Sequence, residues 1–262
     1  MTIEYEVSDL HLSYRNRNGA PTRAVDGVSL TVESGQRLGV VGMSGSGKSS
    51  LIRMMAALSR PTSGSIKFRG QEITNLPERE LGELRKNVQL VFQDPRSSLN
   101  PRMKVRRIIT EPLRSPLLRQ RKDLPSDHEA RLIEVMTKTG LDPAFADRYP
   151  HEFSGGQRQR IAIARALATK PDILIADEAV SALDVSVRAQ ILNLLQDAVT
   201  ERGLTLLFVS HDLSVVQHMC DQVIVMKHGK IVESGPTERI YSNPEQPYTR
   251  ELLAAIPKIR LT

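Results

Sequence analysis

The sequence predicts an α/β fold with an antiparallel β part near its N-terminus and an all-helical stretch inserted in its middle. Three observations carry this expectation. Residues 37–41 form a compact, mainly apolar run, and 173–176 and 205–209 are short, almost wholly apolar runs, the pattern of parallel strands buried on both faces. The first run passes through glycines directly into a helical pattern, giving strand, turn and helix in that order. Between the first run and the other two, from 105 to 168, the periodicity is helical only.

The remaining elements follow in order. Residues 5–13 and 25–32 alternate apolar and polar side chains, as half-buried strands do, and 64–69 and 87–92 read as further strands. A helix is expected over 48–58, then a polar, proline-bounded loop over 95–102, and helices over 127–140 and 155–168. Residues 187–202 form the helical link between the second and third apolar runs. Strands 222–226 and 230–233 flank His228-Gly229 and read as a hairpin, with helical signals after it at 238–241 and 248–255. No internal repeat is visible. The chain is therefore divided into an α/β core with its antiparallel part (1–94 and 169–240), a helical subdomain (95–168) and a short helical C-terminal segment (241–262), all within one domain of 262 residues.

Composition narrows the class. With 40% apolar and 25% charged residues the chain can bury a sizeable core, which excludes disordered and collagen-like readings. Its apolar stretches fall far short of the roughly 20 residues that a membrane helix needs. The N-terminus carries Glu4 and Glu6 and no basic-then-apolar pattern, so no secretory signal is read and the expected location is the cytoplasm. Cys220, the sole cysteine, can neither pair within the chain nor build a cysteine metal site, and a buried thiol is expected. The net charge of +6 is uneven: residues 102–122 hold eight basic side chains against one acid, Glu111. A solvated face and a surface near anionic lipid or an acidic partner both fit this stretch. A nucleic-acid groove ranks below both, because no aromatic residue offers bases a platform.

Gly42-Met43-Ser44-Gly45-Ser46-Gly47-Lys48-Ser49 fits G-x-x-x-x-G-K-S and stands between a strand and a helix, the context the pattern requires. Its glycines let backbone N–H groups turn inward around phosphates, and the helix N-terminus adds a favourable dipole. Lys48 would reach the β- and γ-phosphates, and the Ser49 hydroxyl can ligate Mg²⁺. Asp177 and Glu178, at the end of the run 173–176, supply a carboxylate for the metal and a second one that can face the attacking water as general base. Ser154-Gly155-Gly156-Gln157 precedes the helical run of 158–168, with Ser154 as N-cap and two glycines leaving amides open, which describes a second anion cradle on the same chain. One nucleotide rarely needs two cradles, so this one is expected to serve a nucleotide held by another subunit.

The order of 42–49, Gln93, 154–157, Asp177-Glu178, Ser181-Ala182-Leu183-Asp184 and His211 resembles the nucleotide-binding subunit of ATP-binding cassette (ABC) transporters over essentially the whole chain. Phe92-Gln93-Asp94-Pro95, Ser98-Leu99-Asn100-Pro101-Arg102 and Asn243-Pro244-Glu245-Gln246-Pro247-Tyr248-Thr249 are similar to the dipeptide, oligopeptide and nickel importer branch. The resemblance implies a P-loop NTPase core (RecA-like) with an N-terminal antiparallel β subdomain and an inserted α-helical subdomain. It implies ATP and Mg²⁺ as cofactors. ATP would be held by Tyr14, which would stack on adenine, and by Gly42, Met43, Ser44, Gly45, Ser46, Gly47, Lys48, Ser49 and the following Ser50; Mg²⁺ would be held by Ser49, Gln93 and Asp177. Glu178, His211 and Gln93 would be catalytic, Ser154 to Gln157 would act in trans, and Asp184 would lie at the dimer interface.

The implied partners are a second ABC ATPase subunit, two membrane permease subunits and, indirectly, a solute-binding protein, with no nucleic acid. The implied place is the cytoplasmic face of the cell membrane. Two departures stand out. Relatives commonly have proline after the catalytic glutamate where this chain has Ala179, which loosens the backbone and removes no catalytic atom. Many peptide-importing relatives also carry a cysteine-rich C-terminal extension, absent here, so no iron–sulfur cluster is expected. The expected role is the ATPase of a bacterial importer of di- or oligopeptides, with a nickel, metallophore or other small-solute importer, and after these a soluble non-transport ABC ATPase, as the alternatives.

Overall fold

The structure, a computed structural model, describes residues 2–15, 21–119, 121–181 and 183–255. Strands β1 (Ile3–Arg15), β2 (Pro21–Glu33) and β3 (Arg37–Val41) lead into helix α1 (Lys48–Met55), followed by β4 (Ser63–Phe68) and β5 (Gln71–Glu72). Then come α2 (Gly82–Asn87), β6 (Val88–Val91), α3 (Pro95–Ser98), α4 (Val105–Thr110), α5 (His128–Lys138) and α6 (Gly155–Ala168). Strand β7 (Ile173–Asp177), helix α7 (Val185–Arg202), β8 (Thr205–Ser210) and α8 (Leu213–Met219) follow, and β9 (Gln222–Lys227), β10 (Lys230–Pro236), α9 (Thr237–Ser242) and α10 (Pro247–Ala254) complete the order. The chain forms two compact units, Met1–Glu78 with Thr205–Thr262, and Arg79–Leu204.

The first unit contains both kinds of strand pairing. An antiparallel sheet runs β2-β1-β4-β5, and its long β1 bends at register shifts between Val7, Leu10 and His11. Alongside it, β3 lies between β8 and β9, parallel to both, and β9 turns back antiparallel into β10. Because β3 and β8 are covered on both faces they carry no alternation, and Leu38, Val40, Val41 and all six residues of β8 are buried. His228 (φ 49°) and Gly229 (φ 79°) join β9 to β10; two consecutive positive φ values match the twist that a two-residue hairpin demands. Cys220 is buried and unpaired, and burial pushes its thiol well above the usual range.

The second unit pairs β6 with β7 in parallel and packs its helices around their own apolar cluster. Val105, Ile108 and Ile109 of α4, Leu132, Val135 and Met136 of α5, and Ile161, Ala162 and Ala164 of α6 meet in it. The guanidinium of Arg131, fully buried, donates from Nε to the carbonyl of Ala168 at 2.9 Å and from Nη2 to that of Leu167. A cation thus satisfies the orphan carbonyls at the C-terminus of α6, where the helix dipole favours it. Part of the basic stretch is balanced within this unit: Lys104 and Arg106 both reach Asp147, and Arg106 also reaches Glu129. Gln120, within that stretch, lies outside the described residues.

The structure differs from the sequence reading at several places. Residues 95–98 are helical rather than loop, because Asp94 caps the turn by accepting the Arg96 N–H (2.9 Å) and Pro95 sits at the first helical position, where its missing N–H costs nothing. Helix α1 stops at Met55, short of 58, where Ala57 takes φ 50° and the N–H groups of Ala57 and Leu58 close back on the carbonyls of Met54 and Arg53. Helix α8 has no counterpart in the sequence reading, although Asp212 caps it by accepting the Ser214 N–H.

Ile161 is fully buried among the helices of the second unit. Ile161→Ala should therefore cost about 2 to 5 kcal/mol, transfer and cavity terms together. Urea unfolding checks it, and a loss under about 1 kcal/mol would contradict a packed cluster.

Candidate functional site

Strand β3 delivers the loop 42–49 to the surface of the first unit. Gly47, which caps α1, has φ 104°, and a Cβ there would stand 2.2 Å from the carbonyl oxygen of Ala24, so no other residue fits. The turn is braced from the hairpin side: the Gly229 N–H donates to the Ser46 carbonyl at 3.0 Å, while the Gly229 carbonyl accepts from Asp26 N–H at 2.9 Å. Lys48 opens α1 and is only 4% exposed, with Nζ donating to the carbonyls of Gly42 (2.8 Å) and Met43 (3.1 Å). A buried ammonium needs acceptors, and the loop supplies them from its own backbone. Ser49 and Ser50 follow in α1, half-buried. Met43, Ser44 and Gly45 are exposed at the loop's crest.

Two further expected residues lie in this unit. His211 is exposed immediately after β8, next to the capping Asp212. Tyr14 is 49% exposed near the end of β1, opposite Thr22 of β2.

The second unit assembles the acidic part. Every residue of β7 is buried, and the strand ends in Asp177, 5% exposed. Glu178 follows with φ 47°, an uncommon conformation for a residue with a side chain and one that concentrates at functional turns. Its carbonyl accepts from both the N–H (3.1 Å) and the hydroxyl (3.0 Å) of Ser181. Gln93, beyond the end of β6, donates from Nε2 to the Ser181 hydroxyl oxygen at 3.3 Å. Gln93, Ser181 and the Glu178 backbone thus form one relay, and Ser181 closes a turn that Ala179, buried, leaves without the rigidity of proline. Ala182, in the same motif, lies outside the described residues.

Two helix starts complete this unit. Ser154 caps α6: its hydroxyl accepts the Gln157 N–H (3.3 Å) while the Gln157 side chain accepts the Ser154 N–H (2.9 Å), with Gly155 and Gly156 in the first turn. Asp184 caps α7, accepting from Val187 N–H and the Ser186 hydroxyl, and these donors hold its carboxyl below the usual range. Chemically, the first unit offers a glycine-rich loop with a lysine at a helix N-terminus, which suits a polyphosphate. The second offers carboxylates and a strained turn, and a second helix N-terminus. Ser49 in the first unit, and Gln93 and Asp177 in the second, each offer an oxygen, the donor type a hard cation such as Mg²⁺ prefers.

The ABC transporter family profile matches residues 25–181, well over half the chain. The chain belongs to the ABC transporter family. The oligopeptide transport ATP-binding protein AppF of Bacillus subtilis is 50% identical over 248 residues, covering 93% of this chain and 73% of that protein. The dipeptide transport ATP-binding protein DppF of Haemophilus influenzae is 49% identical over 237 residues, covering 90% of this chain and 71% of its own length. Among solved structures, a dimeric ATP-binding cassette in a post-hydrolysis state with ADP and phosphate has a TM-score of 0.79 at 28% identity, covering 89% of this chain and 98% of that one. CbiO1 of Clostridium perfringens, part of an ABC transporter complex, has a TM-score of 0.76, also at 28% identity, covering 94% and 93%. The ABC cassette fold, with its antiparallel β part, is the fold read from the sequence. Among the described residues, no helix is long and apolar enough to cross a membrane.

Sequence reasoning gave no task to Ser181 or to Tyr248, whose hydroxyl accepts the Met43 N–H of the loop at 3.1 Å. Each has a partner remote in sequence: Ser181 ties the local turn at Glu178 to Gln93, and Tyr248 reaches Met43.

The Ser154 cap can be weighed by itself. Ser154→Ala should lower stability by about 1 kcal/mol in urea unfolding, and Ser154→Asp, another good cap, should restore it. Equal stability of Ser154→Ala and the parent would show the cap to be idle.

Proposed function

We propose that this chain is the ATP-binding and ATP-hydrolysing subunit of a bacterial ABC importer for di- and oligopeptides. The observation that carries the chemistry is the loop 42–49, with Lys48 held among its own carbonyls. The solute class rests on the relatives, whose names specify dipeptide and oligopeptide transport, and this favours peptides over nickel. Two such subunits would stand on the cytoplasmic face of the cell membrane, on two permease subunits served by a solute-binding protein. Each ATP would lie between the loop of one chain and residues 154–157 of the other; the dimeric cassette with ADP and phosphate supports that arrangement.

On this reading Lys48 exchanges its backbone acceptors for phosphate oxygens, and the loop amides hold the triphosphate. Tyr14 stacks on the base. Ser49, Asp177 and Gln93 would hold Mg²⁺, which would offset the negative charge of the β- and γ-phosphates. Glu178 accepts a proton from water as the water oxygen bonds to the γ-phosphorus, and the bond from that phosphorus to the bridging oxygen breaks, leaving ADP and phosphate. His211 orients the same water. Gln93 would touch the metal and reaches, through Ser181, the turn that carries Glu178, so it could report nucleotide occupancy to its own unit. Asp184 faces the other subunit at the interface. The nucleotide closes the pair and hydrolysis reopens it, alternating the access of the permeases.

Two variants test this. Lys48→Ala removes a charge-assisted contact and should weaken ATP binding roughly 10- to 150-fold by calorimetry. Glu178→Gln should bind ATP as the parent does while single-turnover hydrolysis falls by about 10² to 10⁴-fold, the contribution of a positioned base. A Glu178→Gln protein hydrolysing within threefold of the parent, on the same scale of about 10² to 10⁴, would remove Glu178 from the chemistry.

A further inference from the structure

The segment from Asn243 to Thr249 has no task in the function above, yet its tyrosine touches the phosphate loop. Tyr248, the second residue of α10, is 8% exposed, and its hydroxyl accepts the Met43 N–H at 3.1 Å. That N–H belongs to the same peptide unit whose carbonyl, on Gly42, accepts from Lys48 Nζ at 2.8 Å. One planar group is therefore held by the tyrosine on its donor side and by the lysine on its acceptor side. Because the peptide is rigid, any rotation that releases the N–H also swings the carbonyl away from Lys48.

The tyrosine is itself held in place by its surroundings in the first unit. Lys227 Nζ lies 4.5 Å from the ring centroid. Glu233, 7% exposed, accepts the backbone N–H of Glu245 (2.8 Å) and of Gln246 (3.2 Å), which fixes the turn from which α10 starts. Arg239 binds Glu245 from the other side at 2.7 Å. Phenylalanine would fill the same space; a buried tyrosine is accounted for by the partner its hydroxyl finds.

We propose that Tyr248 is a positioning residue for ATP: it sets the Gly42–Met43 peptide plane and so keeps Lys48 at the mouth of the loop, ready to exchange backbone oxygens for phosphate. The inference rests on residues 42–49 being the ATP-binding loop. Its hydroxyl serves Met43, so the effect falls on binding and not on the hydrolytic step.

Tyr248→Phe removes one neutral hydrogen bond and keeps the ring. The Kd for Mg-ATP of the isolated chain should rise roughly 2- to 12-fold. In the assembled transporter kcat at saturating ATP should stay within about twofold while KM rises, since only uniform binding has been lost. The Met43 amide should exchange faster with solvent deuterium in the nucleotide-free chain. Glu233→Gln, which reaches Tyr248 indirectly through the turn and the neighbouring Thr249, should raise Kd in the same direction by a smaller factor. A parent chain that binds no ATP overturns the loop assignment and this inference together. A parent that binds, with a Tyr248→Phe chain of the same Kd or with kcat and affinity falling equally alongside a lowered Tm, overturns the positioning role alone.

Discussion

The first unit is organised around a buried positive charge. Lys48 is only 4% exposed, and an ammonium at that depth without acceptors would lose its proton or unfold its surroundings. The carbonyls of Gly42 and Met43 meet the need, and they can do so because the loop doubles back over its own helix. That path requires the left-handed Gly47, a hairpin turn close enough to bond Ser46, and a β3 buried between two parallel neighbours so that the loop starts from a fixed point. The loop's path is thus fixed by its own backbone and its neighbours in the first unit. A site held in this way limits the ordering entropy lost on binding, and on the proposed function the lysine would trade dipolar acceptors for charged ones.

In the second unit the comparable constraint is the turn after β7. Glu178 sits in a left-handed conformation that costs of the order of 1 kcal/mol or more and persists only where the surroundings impose it. Here the imposing group is Ser181, whose N–H and hydroxyl both bond the Glu178 carbonyl, with Gln93 behind it. With alanine at 179 the restriction rests on these hydrogen bonds, so the geometry of Glu178 is tied to Ser181 and, through it, to Gln93.

Elements whose identity is decided locally were legible in the sequence. Strand β3 and helix α6 begin and end where apolar runs, Ser154 and the glycines placed them, and the His228-Gly229 hairpin follows from two residues that tolerate positive φ. Helix α8 escaped because its seven residues give too few turns for a period to show, although Asp212 was a legitimate start signal. The helical turn at 95–98 escaped because Pro95 was read as a breaker when, one residue after a capping aspartate, it is a starter. At the candidate site the loop, the acid pair and the second cradle were legible because each is a contiguous motif. Ser181 and Tyr248 were not, since their meaning lies in what they touch across 88 and 205 residues of chain.

Ser154 and Asp184 show how one side chain could serve a helix and, on the proposed function, an interface together. Both cap helices, and both have thereby lost rotamer freedom, so their use in an interface would carry little further entropic cost. They remain chemically different. Serine accepts the Gln157 N–H through a lone pair and retains a hydroxyl proton to donate, whereas the aspartate has only acceptor capacity. Either residue makes a good cap, so helix stability alone does not choose between them. A cradle meant for a phosphate does choose: a neutral hydroxyl can donate to an anion that a carboxylate would repel. At the start of α7 the reverse holds, because a carboxylate already below its usual range stays charged and can accept from donors on another chain. The placement of serine at one helix start and aspartate at the other is thus what two subunits would need if they met across a nucleotide phosphate on one side and a backbone on the other.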